Sequence, residues 1–349
     1  MVRSLADHEY EFESEFNSSY GAVTRRMMRM LSENSRVSIS EMSKALGLSR
    51  ITVRKRMGAM EKEFGIHYTI EFDESVLKLS SQHLIAVKFN SKPDLDAISR
   101  LLAKSYIPQL AVHMKGSYDM LIYAASTSRR DYAHWDKTMQ ILLSDYGVDW
   151  RPSEVVHKQL GFFPLRSELV GRTDAPEDYK RIMLMLHGNA RMPFRHISKR
   201  LGMHFNTVAY NFNKLVESGY IKRFTITARV PKGVSLMSFF SKYRPKAGYE
   251  ACSAAARKAF MSDDRDSLVS RYLICAPLIG SYDFFTLGAF DSFETAYKRD
   301  VMYHRHLFEN QGVRLIYGDV ESVLLGSLPI RSMDIAREYN KLTWEPSLS

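Results

Sequence analysis

The chain has 349 residues, of which 45% are hydrophobic and 12% aromatic, so we expect a folded protein of two or more domains rather than a disordered one. No apolar run approaches the ~18 residues that a membrane-spanning helix needs, and the first residues are too polar for a signal peptide, so we expect a cytoplasmic protein. The net charge is +10, and because Cys252 and Cys275 form neither a metal-binding spacing nor a disulfide framework, we expect no metal and no cofactor.

Two parts of the chain repeat one another. The segment LSENSR at residues 31–36 recurs as LHGNAR at residues 186–191, 155 positions later. The segment Gly116-Ser-Tyr-Asp119 recurs as Gly280-Ser-Tyr-Asp283, 164 positions later. The shared order of these motifs indicates a duplicated unit.

The positive charge is concentrated in the first part of each repeat. Residues 21–70 carry ten Lys or Arg against four Asp or Glu, and residues 176–230 carry ten against three. The rest of the chain is slightly acidic. Two basic modules on a nearly neutral body favour a polyanionic partner, and a solvated basic face is the alternative.

Residues 21–73 predict three helices and a short strand pair. Ser40 is placed to cap the second helix and Gly47 to end it, and Ser49 is placed to cap the third helix. The strand pair is expected over residues 66–72. This order is typical of a winged helix-turn-helix, whose last helix enters the DNA major groove. We call residues 21–73 the first reader.

The third helix has an apolar face at Val53, Met57 and Met60, which we expect to be buried, and a basic face opposite. Basic residues in a first turn oppose the helix dipole, and that cost is explained if the helix faces phosphate. A helical hairpin that only packs is the alternative. The predicted DNA contacts of the first reader are Ser49, Arg50, Ile51, Thr52, Arg54, Lys55 and Arg56.

Residues 177–231, the second reader, repeat this order with different side chains. Positive charge moves to residues such as Arg191, Lys222 and Arg223, so the second reader is expected either to prefer a different half-site or to hold only the DNA backbone. Its predicted DNA contacts are His204, Asn206, Thr207, Tyr210 and Asn211.

Each reader is followed by a strand–helix–strand–strand–helix–strand pattern, which predicts an α+β chain with two ferredoxin-like βαββαβ domains. The uncovered face of each sheet needs a partner, and we expect the two copies to pair face to face. Strands are predicted near residues 83–90, 107–115, 118–125, 152–160, 234–243, 268–278, 282–290 and 313–323, and helices near 93–105, 128–145, 246–261 and 291–309.

A helix-turn-helix followed by a βαββαβ domain with a Gly-x-Tyr-Asp turn resembles the Lrp/AsnC family of transcriptional regulators. The resemblance implies a sequence-specific DNA-binding regulator with RAM-type domains that oligomerise and sense an amino acid or similar metabolite. One chain would act as an intrachain pseudo-dimer or form a homodimer. The alternative is that the glycines only allow a tight turn, because glycine permits positive φ, and that the turns bind no effector. Carried over by motif, the effector residues are Gly116, Tyr118, Asp119, Gly280, Tyr282 and Asp283.

The expected domains are assigned from these patterns. They are an acidic N-terminal arm (1–20), the first reader (21–73), a ferredoxin-like domain (80–165), a linker (166–176), the second reader (177–231), a second ferredoxin-like domain (232–330) and a C-terminal tail (331–349).

Two other functions remain open. An architectural DNA-binding protein without effector would show weak sequence preference. A siroheme-type tetrapyrrole decarboxylase resembles this architecture, but the motifs typical of that family are missing, and we expect the chain not to be an enzyme. For the decarboxylase alternative, the candidate residues in this chain are His113, Lys115, His157, His304 and His306.

Overall fold

The structure is a computed structural model that describes residues 23–24, 26–156, 158, 161–229, 235–242, 272–290, 294 and 314–328. The predicted acidic arm and C-terminal tail lie outside the described residues. So do the helices predicted near 246–261 and 291–309, apart from Glu294. No helix in the described part of the chain is long and apolar enough to cross a membrane.

The first reader consists of three helices and one strand. Ser38, rather than Ser40 as predicted, caps the second helix. The Ser38 hydroxyl accepts the Glu41 N–H, and the Glu41 carboxylate accepts the Ser38 N–H, which forms a capping box. Gly47 ends that helix at φ 66°, as predicted. The elements are α1 (residues 26–33), α2 (Ile39–Leu46), α3 (Arg50–Phe64) and β1 (His67–Phe72).

The second reader has the same order of elements. Gly202, which matches Gly47, ends its second helix in the left-handed conformation. A short helix α6 (Ser167–Val170) precedes the reader. The reader itself contains α7 (Glu177–Gly188), α8 (Phe194–Leu201), α9 (Phe205–Glu217) and β6 (Ile221–Thr227).

The two readers share one small sheet. Strand β1 pairs antiparallel with β6 of the other reader, so the strand pair predicted within residues 66–72 is wrong. Each reader supplies a single strand, and within the described residues the backbone groups of that strand pair with the other reader. The packing is crossed as well: Ile226 of β6 is buried in the core of the first reader, and Ile70 of β1 belongs to the core that includes the second reader.

The remaining strands form one closed eight-stranded barrel, in the order β10-β3-β4-β2-β5-β8-β9-β7. The predicted face-to-face pairing of two open sheets is therefore wrong: the halves join edge to edge, through β3–β10 and β5–β8. Closure removes the unpaired sheet edges. The elements are β2 (Ser81–Phe89), α4 (Leu95–Ala103), β3 (Pro108–Gly116), β4 (Met120–Ser126), α5 (Arg129–Leu142), a 3₁₀ turn (Ser144–Tyr146), β5 (Val148–Val155), β7 (Ser235–Lys242), β8 (Tyr272–Gly280), β9 (Phe284–Phe290) and β10 (Arg314–Leu325).

Strands β2, β3 and β4 of the first half are buried on both faces over most of their length. One face points into the main core with Phe240 and Phe285 of the second half. The other face packs under α4 and α5, where Ile98, Trp135 and Met139 are buried. The main core continues without a break into the second reader, so the barrel and that reader form one packed unit.

Candidate nucleic-acid interface

The last helix of the first reader, α3, has one buried and one exposed face. Val53, Met57 and Met60 pack in the reader core, as predicted. On the opposite side Ile51 is 77% exposed. A large aliphatic side chain in that position is available to contact a thymine methyl group in the major groove.

Cations surround Ile51 on this exposed face. Arg50, Arg54, Lys55 and Arg56 are all exposed, and the first turn of α3 contains no acidic residue. The Arg50 Nη2 donates to the Ser40 hydroxyl at 2.9 Å, which attaches this cation to the preceding helix α2. Four exposed cations in the first half of one helix form a surface suited to phosphate.

Ser49 and Thr52 are engaged in the cap of α3. The Ser49 hydroxyl accepts the Thr52 N–H at 3.1 Å, and the two hydroxyl oxygens lie 2.9 Å apart. Both residues lie at the start of the helix, beside the cations. The Ser49 hydroxyl already satisfies a backbone N–H group that would otherwise lack a partner at the helix N-terminus.

The equivalent helix of the second reader, α9, is capped by His204, whose Nδ1 accepts the Asn206 N–H at 3.3 Å. Its exposed residues differ in chemistry from those of α3: Phe205, Asn206, Thr207 and Tyr210 are exposed, with Tyr210 61% exposed. The prediction that Asn211 contacts DNA is corrected, because Asn211 is buried at 8% exposure and packs on the inner side of α9.

The repeated Asn-x-Arg motif links the readers. The Asn34 side chain accepts the Arg36 N–H at 3.0 Å, and the Asn189 side chain accepts the Arg191 N–H at 2.9 Å, so both arginines leave the same type of turn. Arg36 donates to the carbonyls of Ala190 and Met192. Arg191 donates in return to the carbonyls of Ser35 and Val37. The prediction places Arg191 on a basic DNA face, but the structure places it between the readers.

Aromatic rings of the opposite reader hold each arginine. The Arg36 guanidinium lies 5.1 to 5.6 Å from the ring centres of Phe194, Phe212 and Phe224, and that of Arg191 lies 5.3 Å from the ring of Tyr68. Burial, and next the charge of Arg191, lower the pKa of Arg36. The two cations therefore lie close together in a partly dry interface.

Strands β1 and β6 make further reciprocal hydrogen bonds between the two readers. The Ser35 N–H donates to the Phe224 carbonyl at 2.9 Å, and the Ala190 N–H donates to the Tyr68 carbonyl at 3.0 Å. In the same way, the Thr225 hydroxyl donates to the Ser32 carbonyl, at 2.8 Å. The equivalent Thr69 hydroxyl donates to the His187 carbonyl, at 3.0 Å.

The cations predicted for the wing of the second reader pair with a carboxylate of the first reader, although Lys222 is also exposed to solvent. Lys222 Nζ lies 3.0 Å and Arg223 Nη2 lies 2.7 Å from the carboxylate of Glu71, which is 3% exposed. Glu71 belongs to β1 of the first reader. These cations therefore neutralise a buried carboxylate between the readers.

The two Gly-Ser-Tyr-Asp turns lie at the two joints of the barrel. Gly116 faces Gly318 across β3–β10, and Gly280 faces Ser153 across β5–β8. The Ser117 N–H donates to the Tyr317 carbonyl at 2.8 Å, and the Ser281 N–H donates to the Pro152 carbonyl at 3.3 Å. Each turn thus joins its own half to the last strand of the other half.

The other effector residues proposed from the sequence also make protein contacts. Tyr118 and Tyr282 are 2% and 3% exposed, and the Tyr282 hydroxyl accepts from Arg151 Nη1 at 3.2 Å. Asp119 accepts from Lys88 Nζ at 2.6 Å, and Asp283 accepts from Lys242 Nζ at 2.8 Å. These contacts support the turns and the joints directly.

The sequence analysis did not predict a buried ionic cluster that lies between the segment after β1 and the barrel. The Lys158 ammonium pairs with Glu74 and donates to Gln82 at 2.8 Å and to the Tyr123 hydroxyl at 3.0 Å. Burial lowers the pKa of Lys158, and Glu74 opposes that shift. Glu74 follows β1, so this pair links the reader sheet to the barrel. No local motif signals it, because the partners lie 84 residues apart.

Of the candidate enzyme residues, His113 and Lys115 lie on β3. His113 Nδ1 lies 3.0 Å from the carboxylate of Glu321 on β10. His157, His304 and His306 lie outside the described residues. The described residues therefore place one of the proposed histidines next to a carboxylate at the same barrel joint as the first turn.

A family model described as winged helix-turn-helix DNA-binding matches the chain twice, at residues 22–63 and 180–222. Both matches fall on the readers and include most of α3 and all of α9. The chain thus carries two winged helix-turn-helix segments of the DNA-binding type. A comparison with curated protein sequences gave no match.

Solved structures match different amounts of the chain. One is the structure of a siroheme decarboxylase, NirDL, in complex with an iron-uroporphyrin III analogue. The match includes 91% of this chain and 97% of the NirDL chain, with 13% sequence identity and a TM-score of 0.56. An AsnC family transcriptional regulator from Agrobacterium tumefaciens covers 39% of this chain and 90% of its own, at 18% identity and a TM-score of 0.35. The Mycobacterium tuberculosis leucine response regulatory protein LrpA covers 39% of this chain and 92% of its own, at 19% identity and a TM-score of 0.33.

The prediction that the chain is not an enzyme is wrong on this comparison. A solved structure that covers 91% of the chain is that of a decarboxylase. At 13% identity the likeness establishes a shared fold, and a fold alone does not assign an activity. The decarboxylase alternative from the sequence therefore stands beside DNA binding.

Proposed function

We propose that the chain is a transcriptional regulator that binds double-stranded DNA through the exposed faces of α3 and α9. The observation that carries this proposal is the pair of winged helix-turn-helix matches, whose last helices both expose side chains able to contact bases or phosphates. The readers are joined within one chain, so we propose that one chain acts as a pseudo-dimer.

The two readers would read unlike half-sites. The α3 face presents Ile51 among cations, which suits thymine methyl groups and phosphates. The α9 face presents Asn206 and Tyr210, which suit adenine edges and phosphate oxygens. A specific site would then lack the palindrome that two identical readers would require.

The test is a titration of labelled duplexes at several salt concentrations. A regulator is expected to bind its selected site at least about 10³-fold more tightly than random DNA. Equal affinity for all duplexes, with a steep salt dependence, would support the architectural alternative instead. Absence of binding at low salt would overturn both.

We also propose that an amino acid or similar small metabolite regulates this binding from the barrel joints. The support is the position of the two turns, where a ligand would contact both halves of the chain. The readout is the DNA dissociation constant with and without each amino acid. An effector should change it at least fivefold, a coupling of about 1 kcal/mol. No change with any amino acid would remove this part of the proposal.

The second candidate function is decarboxylation of a siroheme-type tetrapyrrole. Its support is the whole-chain fold shared with the siroheme decarboxylase. Purified chain is incubated with siroheme without oxygen, and the products are separated by mass. Loss of one CO₂ per reacting carboxylate, with replacement by hydrogen, would support this candidate. Unchanged siroheme, with a known decarboxylase active in parallel, would contradict it.

A further inference from the structure

We infer that Arg36 and Arg191 are positioning residues that fix the distance between the two readers and thereby select the spacing of the DNA half-sites. This inference rests on the proposed function, because it concerns the same DNA-binding surface. Neither arginine is assigned a contact with DNA.

The reciprocity of the contacts carries the inference. Arg36 bridges the carbonyls of residues 190 and 192, and Arg191 bridges those of residues 35 and 37, each pair 155 positions from its counterpart. In each arginine both bonds come from the same nitrogen, Nη1, which lies between two carbonyls of the other reader. Because the guanidinium is planar and rigid, these bonds together with the ring contacts restrict its orientation as well as its distance. Two such arginines, one from each reader, restrict the rotation of one reader against the other.

The location of the two arginines connects them to the helices proposed to contact DNA. Residues 35–37 lie between α1 and α2, and residues 190–192 lie between α7 and α8, directly before the helix-turn-helix of each reader. The Arg36 guanidinium also covers the ring of Phe212, which lies on α9. A shift of Arg36 therefore changes a direct contact of α9, and a shift of Arg191 changes the contacts of the turn that precedes α2 and α3.

The aromatic contacts explain why arginine is needed at these positions. The planar guanidinium of Arg36 lies over three rings of the second reader while its edge donates to carbonyls. Lysine has a single ammonium without a planar face, and it cannot reproduce both sets of contacts. The change from arginine to lysine thus keeps the charge and loses the geometry.

The experiment measures the affinity of the full chain for duplexes that carry the two selected half-sites at a series of spacings. One helical turn of DNA is about 10 bp, so a spacing changed by about 5 bp puts the half-sites on opposite faces. The wild-type chain is expected to bind the altered spacing at least about tenfold more weakly, which corresponds to about 1.4 kcal/mol. A duplex with one half-site serves as the reference.

The variants are Arg36→Ala/Arg191→Ala and Arg36→Lys/Arg191→Lys. Both should lose most of the spacing preference and bind the preferred spacing more weakly, because loosely joined readers have a lower effective concentration for the second half-site. Affinity for the single half-site should stay unchanged. If the alanine variant unfolds, the lysine variant provides the test. The matched control is Arg100→Ala/Arg130→Ala, which removes two exposed arginines from the barrel helices and should keep the spacing preference.

The outcomes separate this inference from the proposed function. If the wild-type chain binds no DNA, the proposed function fails. If the wild type binds with a spacing preference that the lysine variant retains, the inference is overturned while the function stands. A wild type that binds every spacing equally also overturns the inference. Loss of the preference in the variants, and not in the control, is the expected result.

Discussion

The exposed cations of α3 should contribute to DNA affinity through phosphate contacts. Replacing Arg54, Lys55 and Arg56 by alanine is expected to weaken binding and to reduce the slope of log K against log salt by about 0.9 for each lost contact. The measurement is the dissociation constant at four or more salt concentrations.

The control for this triple change removes equal charge elsewhere. Arg100, Arg130 and Lys137 are exposed on α4 and α5, away from the readers, and their replacement by alanine should leave the slope almost unchanged. If the two triple variants have the same slope, α3 does not lie against the DNA backbone.

His83 should make the chain less stable in mild acid. Burial, and next the charge of Arg129, lower the pKa of His83 to about 4 from its ordinary 6.5. The unfolded chain therefore binds a proton that the folded chain does not between about pH 6.5 and pH 4, so stability falls as the pH is lowered through this window. Below pH 4 both states bind the proton and the loss stops growing.

The variant His83→Phe isolates this effect. His83 stacks on Tyr132 with the ring centres 3.8 Å apart, and phenylalanine preserves the stack without a titrating group. Denaturant unfolding of both chains at several pH values gives the difference. The wild type should lose stability relative to the variant between pH 6.5 and pH 4. A pH-independent difference would show that His83 titrates normally.

At the scale of elements, the two barrel joints should tolerate a methyl group differently. A Cβ on Gly116 would lie 2.5 Å from the Tyr317 carbonyl oxygen, at φ 152°, whereas a Cβ on Gly280 would lie 3.1 Å from the Pro152 carbonyl oxygen, at φ 131°. Backbone strain costs about 1–3 kcal/mol, and Gly116→Ala adds a backbone clash that must be relieved by opening the β3–β10 joint.

We therefore expect Gly116→Ala to destabilise the chain more than Gly280→Ala. The free energies of unfolding of the two variants, measured in denaturant, decide this. An equal loss would mean that left-handed strain alone, and not the close approach of β10, explains the glycine at position 116.

Local patterns in the sequence predicted most elements, and the pairing between distant elements was not predictable in the same way. The strands expected near 107–115 and 282–290 are found at Pro108–Gly116 and Phe284–Phe290, because apolar periodicity and turns are local signals. The pairing of β1 with β6 joins residues 149 to 160 positions apart, and nothing in either strand specifies its partner. The closure of the barrel through β3–β10 was not predictable for the same reason, because it also pairs strands that lie far apart in the sequence.

The candidate DNA-contacting residues were also predictable only where a local pattern decides their position. The exposed face of α3 was predicted from its spacing, and the inner position of Asn211 on α9 was not, because one residue on a helix wheel depends on how the helix rests on its neighbours. Arg191 and Arg223 looked like phosphate contacts by charge alone. Their partners, the carbonyl of Ser35 and the carboxylate of Glu71, belong to the other reader.

At the scale of the whole molecule, the pairing of the readers within one chain should appear in the stoichiometry of binding. One chain is expected to occupy a site with two half-sites, so the binding curve should follow a Hill coefficient near 1. Native mass spectrometry of the complex at nanomolar to micromolar concentration measures this directly. Two chains per site would show that the readers of separate chains, rather than those of one chain, contact the half-sites.

The measurement that tests the central claim most directly is selection of fragments from sheared genomic DNA at near-physiological salt, followed by footprinting of the retained sites. The claim predicts discrete sites, each with two unlike half-sites at a fixed spacing of about one helical turn. Uniform retention of all fragments would contradict sequence-specific reading by α3 and α9. Retention of none would contradict DNA binding itself and leave the decarboxylase fold as the stronger guide to function.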